Sequence, residues 1–335
     1  MQTWTRLGAL WQRLRNWWAR RRALLAGRWQ RLEVRSSTTR WGWPAWPLFP
    51  FTLDPFRKPA SLFAHEATWD CALYRPAGLP DAEEAPLVVL LHGCGQRAMA
   101  FAHAAGFAAA ADRGRFRLLC PEQREGANAW RCWNWFMPAA QGGQGELDVV
   151  LRGLEAAAAH VRCGRVAAVG LSAGGGLAAL LAFHHAQRFD AVVTVAAPPL
   201  LGRASLQDPR QVMKHGLAIS PTLAALHLER CAPLMVLHGA ADDVVSPRCA
   251  EQLAEQALHV MKRRGAGPLS EQTLEDGVEH LDADGHLVLR CRLLPALGHA
   301  WSGAPGGHAY VLREGPALTA LVLAFLRETG VAVRA

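Results

Sequence analysis

The chain has 335 residues, enough to bury a full core in one large domain or two small ones. With 51% apolar and 19% charged residues it belongs with ordinary globular proteins, not with disordered or fibrous chains. The net charge of +8 does not make the whole chain basic: residues 1–40 hold ten Arg and one Glu, a net of +9, so the remainder nets −1 by subtraction. That distribution argues against a nucleic-acid partner for the body of the protein. No apolar run reaches membrane-spanning length. The stretch Ala23-Leu24-Leu25-Ala26-Gly27 is too short for the apolar core of a signal peptide. A cytoplasmic or membrane-surface location is therefore expected, with export as the alternative. The eight cysteines form no C-x-x-C pair, which argues against a structural zinc site. Most are expected to be small buried hydrophobes, with one or two disulfides if the protein is exported.

Along the chain, Trp4, Leu7, Trp11, Leu14, Trp18, Leu25, Trp29 and Leu32 recur at helical spacing and predict an amphipathic helix over residues 3–33. Eight of the thirteen tryptophans precede residue 47, so residues 1–40 read as a basic, Trp-rich helical segment suited to an interface. A membrane surface, a granule coat or a partner protein would suit it; the plainer alternatives are a helix packed on the rest of the chain or a mobile extension. Pro44, Pro47, Pro50, Pro55 and Pro59 forbid a helix and make residues 41–60 an extended linker. The main domain is then expected over residues 61–335.

Within it, strands are expected at Cys71–Arg75, Leu87–Leu91, Phe116–Cys120, Arg165–Leu171, Ala191–Ala196, Leu234–His238 and Leu287–Leu293. Helices are expected over 97–113, 145–162, 174–187, 247–263 and 316–328. This alternation predicts an α/β fold with a mainly parallel sheet covered on both faces. Residues 198–230 interrupt the rhythm, as a small cap over the strand ends or as a plain surface excursion.

The chemistry gathers at the strand ends. Gly170-Leu171-Ser172-Ala173-Gly174 is a G-x-S-x-G pattern between an apolar strand and an Ala-rich helix, the context of a nucleophile elbow. A serine needs a base, and the base needs an acid to orient it. His299, in Leu297-Gly298-His299-Ala300-Trp301, is the base candidate. Asp242 and Asp243, just past the strand ending at His238-Gly239, are the acid candidates. Adjacent residues point different ways, so only one of the two can reach His299. An oxyanion hole needs two N–H donors. Ala173 supplies one, and the loop His92-Gly93-Cys94-Gly95-Gln96 the other. His184, His185 and His215 read as surface residues, His92 as a brace for the oxyanion loop, and His238 as a locally bonded strand end.

Leu91-His92-Gly93-Cys94-Gly95-Gln96, Cys120-Pro121-Glu122-Gln123, Ala127-Asn128 and Cys132-Trp133-Asn134-Trp135-Phe136 lie upstream of the elbow. His238-Gly239 with Asp242 and Val245, and Gly298-His299-Ala300-Trp301-Ser302-Gly303, follow it. Together they resemble the polyhydroxybutyrate depolymerase family of α/β-hydrolase esterases over roughly residues 70–328. Gly95 and Ala240 depart from the family's usual residues, and neither carries the chemistry.

The resemblance implies an α/β-hydrolase fold and a serine esterase acting on hydroxyalkanoate or related carboxylic esters without a cofactor. It implies Ser172 as nucleophile, His299 as base and Asp242 as acid, and it suggests Cys94 as the second oxyanion donor. A disulfide between Cys94 and Cys132 is a hypothesis that follows from their places in two site-forming blocks. Trp301 is expected to line the substrate site; Trp133 and Trp135 either line an acyl pocket or pack in the core. A feruloyl or acetyl-xylan carbohydrate esterase is the competing enzyme reading. A non-catalytic protein binding a granule or membrane surface is the reading from another class.

Overall fold

The computed structural model describes residues 27–39, 64–202, 205, 207–263 and 268–333. Its strands are β1 (Arg28–Thr39), β2 (Ala64–Arg75), β3 (Ala85–Leu91), β4 (Arg117–Pro121), β5 (Cys163–Leu171), β6 (Ala191–Val195), β7 (Leu234–Gly239), β8 (Ser270–Leu274), β9 (Gly277–Leu281) and β10 (Leu287–Leu294). They form one sheet in the order β1-β2-β4-β3-β5-β6-β7-β10-β9-β8. The centre, from β4 through β10, is parallel, and the two edges are antiparallel.

The continuous apolar run of β3 explains the layering. Leu87, Val89 and Leu91 point to one face and Val88 and Leu90 to the other, and all five are fully buried. On the first face pack α3 (Pro138–Gln141), α4 (Glu146–Ala158), α5 (Ala173–His184) and α8 (Arg248–Arg263). On the second pack α1 (Ala98–Ala104), α2 (Phe107–Gly114) and α9 (Leu318–Glu328). α5 is buried from Ala173 to Phe183 and is central to the fold. Among the described residues no helix is long and apolar enough to cross a membrane.

Three regions differ from the sequence expectation. Residues 28–33, expected as the end of a helix, begin β1 instead, while residues 1–26 and the Pro-rich 41–60 lie outside the described residues. From Arg31 to Ser36 burial alternates residue by residue, with Leu32 and Val34 in the core beside Trp69. A period of two there outweighs the helical spacing of Trp29 and Leu32, because β2 offers a full antiparallel partner. The sheet thus draws a strand from the segment assigned above to a separate helix.

The expected helix over 97–113 is two helices, broken where Gly106 takes φ 82°. The hairpin of β8 and β9 was not foreseen, although Asp276-Gly277 at its turn is a hairpin signal. The 198–230 insertion contains α6 (Pro209–His215) and α7 (Pro221–Ala224) and packs on α8. There Gln252 bonds both the N–H and the carbonyl of Leu217, and Gln256 does the same for Leu200.

The burial of β1 is testable. Truncation of Leu32, 4% exposed, in Leu32→Ala should cost about 2–4 kcal/mol in equilibrium urea unfolding. A free amphipathic helix would lose almost nothing.

Candidate active site

β5 runs into α5 through Ser172, which sits at φ 56° and ψ −118°. A β-carbon on Gly170 would lie 2.1 Å from the Gly174 carbonyl oxygen. One on Gly174 would lie 2.4 Å from the carbonyl oxygen of Leu91 and 2.5 Å from that of His92. Both positions therefore need glycine, and the second contact presses the elbow against the loop that follows β3. The Ser172 N–H donates to the Val195 carbonyl (2.8 Å), tying the turn to β6.

The other two candidates come from neighbouring parallel strands. Asp242 follows β7 and His299 follows β10, and their loops are joined directly. Ala240 N–H donates to the Leu294 carbonyl (2.9 Å), and Ala241 N–H to that of Leu297 (3.0 Å). A β-carbon on Gly239 would stand 2.1 Å from the Leu297 oxygen, so glycine permits this approach. His299 Nε2 lies 2.9 Å from Ser172 Oγ, and its Nδ1 lies 2.7 Å from Asp242 Oδ2. Of the two acid candidates, Asp242 is buried and bonded to His299, whereas Asp243 is exposed.

Burial works to raise the pKa of the Asp242 carboxyl. Hydrogen bonds from His238 and His299 and from the Val245 N–H outweigh it and hold the group well below the usual carboxylate range. Asp242 Oδ1 also accepts from the Val244 N–H, at 2.9 Å as for Val245. His238 Nε2 donates to the Val245 carbonyl (2.8 Å) and lies 3.3 Å from Asp242 Oδ2. The sequence reading gave His238 only a local bond and missed this contact with the acid; nothing in the spacing signals it.

Ala173 opens α5, so its N–H is among the first-turn donors that have no acceptor within the helix. Cys94 belongs to the loop pressed against the elbow, and it is disulfide-bonded to Cys132, with their Cα atoms 4.2 Å apart. The Gly95 N–H donates to the Trp130 carbonyl (2.7 Å). His92, fully buried, fixes the loop's start: its Nδ1 meets the Gly93 carbonyl at 2.8 Å, and its Nε2 accepts from the Gln123 N–H at 3.1 Å.

Behind this loop lies a polar cluster that the sequence reading did not assign. Buried Glu146 accepts from Gln123 Nε2 (2.8 Å), the Asn134 N–H (2.6 Å) and Asn134 Nδ2 (2.7 Å). Burial pushes its carboxyl pKa up against those bonds. Asn128 Oδ1 accepts from the N–H groups of Trp130 (3.1 Å) and Cys132 (2.9 Å). Four residues of the block Cys132–Phe136 thereby find their roles. Cys132 holds the disulfide, Trp133 stacks on Trp69 with ring centroids 6.2 Å apart, Asn134 meets Glu146, and Trp135 packs against Gly176.

The tryptophans correct one expectation. Trp301 does not line the site; it is fully buried, edge-on to Phe101 and Phe107, with its indole N–H on Thr319 Oγ1 (3.0 Å). Phe101 and Phe107 receive its ring in the core behind the loop. Trp133 and Trp135 are likewise buried. The ring that does meet His299 is Tyr310, half-exposed and edge-on, with a centroid distance of 5.8 Å.

The parallel sheet, the strained serine turn and the loops at the strand ends define an α/β-hydrolase. The family model for esterase PHB depolymerases matches residues 69–267, and the chain belongs to that family. Poly(3-hydroxyalkanoate) depolymerase C of Paucimonas lemoignei is 30% identical over 193 residues, covering 54% of this chain and 46% of that one. Feruloyl esterase B of Neurospora crassa is 27% identical over 202 residues, covering 55% and 68%. The chain thus spans about half the length of the first relative. Among solved structures, acetyl xylan esterase from Aspergillus awamori matches with a TM-score of 0.56 at 14% identity, over 69% of this chain and 89% of that one. Thermogutta terrifontis esterase 2 matches with a TM-score of 0.51 at 19% identity, over 80% and 92%. At those identities the two structures show the shared fold.

His92 makes the site's frame sensitive to acid. Burial pushes its pKa down to about 4, against about 6.5 in the unfolded chain. Protonation would also set an N–H against the Gln123 N–H. Between those values the unfolded chain binds the proton and the folded one does not, so stability falls as pH drops from about 6.5 to 4, by on the order of 3 kcal/mol. Urea unfolding across that window should show the slope in the wild type and a flatter one in His92→Gln.

Proposed function

We propose that this chain is a serine esterase that hydrolyses poly- or oligo-hydroxyalkanoate esters through an acyl-enzyme. One observation carries the reading: Ser172 Oγ, His299 and Asp242 form a continuous hydrogen-bonded relay, 2.9 Å and 2.7 Å long, with the serine held at positive φ. Ser172 Oγ attacks the ester carbonyl while His299 Nε2 takes its proton. Asp242, kept ionised by its bonds, stabilises the imidazolium and fixes the tautomer. The N–H groups of Ala173 and Cys94 hold the oxyanion, and α5 adds the positive end of its dipole. His299 then protonates the leaving alcohol. Water, activated by the same histidine, releases the acid and restores Ser172.

The relay supports catalysis over the scaffold-only reading. The hydroxyalkanoate class rests on the family and on the depolymerase relative. The feruloyl esterase relative keeps the carbohydrate-ester reading alive. Ser172→Ala should lower kcat/KM on a short p-nitrophenyl ester by about 10⁴-fold or more, and Asp242→Asn by about 10³–10⁴-fold. On the intact enzyme, turnover of 3-hydroxybutyrate oligomers should exceed that of feruloyl and acetyl-xylan esters; the reverse order would assign it to carbohydrate esters.

The basic, Trp-rich N-terminus supports a second part of the proposal, attachment to an anionic or apolar surface. Because β1 belongs to the sheet, the segment to remove is 1–26. Its deletion should abolish sedimentation with anionic liposomes or polymer granules while p-nitrophenyl ester hydrolysis continues.

A further inference from the structure

Tyr310 has three properties that ordinary packing does not require. It is 51% exposed, it adopts φ 58°, and its ring stands edge-on to that of His299, whose own side chain is only 7% exposed. Positive φ in a bulky residue is unfavourable and persists only where the surroundings over-determine it. Two contacts do so here. The Tyr310 carbonyl accepts the Trp301 N–H (2.8 Å), tying it to the loop that carries His299. The preceding carbonyl, that of Ala309, accepts Gln96 Nε2 (2.6 Å).

Gln96 is fully buried, and both ends of its amide are used, since Oε1 accepts the Gly93 N–H (2.8 Å). One side chain thus clamps the oxyanion loop to the segment bearing Tyr310. Resting on the triad reading above, we propose that Tyr310 forms the aromatic wall on the alcohol side of the ester site, and that Gln96 is the positioning residue that holds it there. The side follows from the chemistry. The leaving oxygen takes its proton from His299 Nε2, so the departing alcohol must lie beside that ring. The exposed face of Tyr310 then offers the alcohol's substituent an apolar surface beside that ring.

Methyl butyrate and benzyl butyrate share an acyl group and have alcohols of similar acidity, so the ratio of their kcat/KM values reads contact with the alcohol. Tyr310→Ala should lower the benzyl-to-methyl ratio up to about tenfold, the range of an aromatic contact, and Tyr310→Phe should keep it. Gln96→Glu, assayed at alkaline pH so that its buried carboxyl is ionised, retains an acceptor for Gly93 but loses the donor to Ala309, and it should lower the ratio in the same direction. The chain has two tyrosines. Fluorotyrosine NMR should therefore show the Tyr310 line move in Gln96→Glu, while the line of Tyr74, buried and bonded to Asp112, reports an intact fold. A ratio unchanged in Tyr310→Ala overturns the wall. An unmoved line with an unchanged ratio in Gln96→Glu overturns the clamp. Should Ser172→Ala hydrolyse both esters, the triad itself is wrong, a failure separate from either.

Discussion

The contact of Gly174 with the carbonyls of Leu91 and His92 is the constraint on which the site depends. It lets β3 and β5 lie side by side while the loop after one meets the turn after the other. Ser172 is forced to positive φ by the same crowding, since Gly170 and Gly174 leave no room for a relaxed turn. The nucleophile is thereby placed at the N-terminus of α5, where first-turn N–H groups and the helix dipole face the developing charge. Strain at Ser172 is tolerable because its surroundings are nearly all buried: β3, β5 and α5 are the heart of the molecule.

The acid and base depend on a second close approach, that of Gly239 to Leu297. Parallel pairing of β7 with β10 sets the two loops at the same sheet edge, and backbone hydrogen bonds then lock one to the other. Asp242 consequently faces His299 without a search through rotamers. Four donors surround its carboxylate, counting His238, so a charge is kept where burial alone would neutralise it.

The oxyanion side is braced differently. There the loop is irregular, and its backbone is secured by side chains rather than by a ladder. His92, Gln96 and Gln123 are all fully buried, and the Cys94–Cys132 bond adds a covalent tie. Glu146 and Asn134 carry that frame back into α4. This explains why so many polar side chains are buried on one side of an otherwise apolar sheet: each satisfies a backbone group that regular structure leaves unpaired.

Much of the site could be read from the chain alone. Apolar runs without alternation marked the covered parallel strands, and G-x-S-x-G after such a run marked the elbow, because both depend on local backbone and side-chain chemistry. Ser172, His299 and the Asp242–Asp243 pair were legible for the same reason: each ends a strand of one sheet. Other features depended on partners far away in sequence. β1 is a strand because β2 accepts it, Trp301 is core because Phe101 and Phe107 receive it, and Asp242 rather than Asp243 meets His299 because Gly239 fits beneath Leu297. Tyr310 escaped notice because its exposure and its neighbour are properties of a loop, which no periodicity records. Local chemistry determined which reactive groups the protein carries; long-range packing decided which of them meet, and what stands beside them.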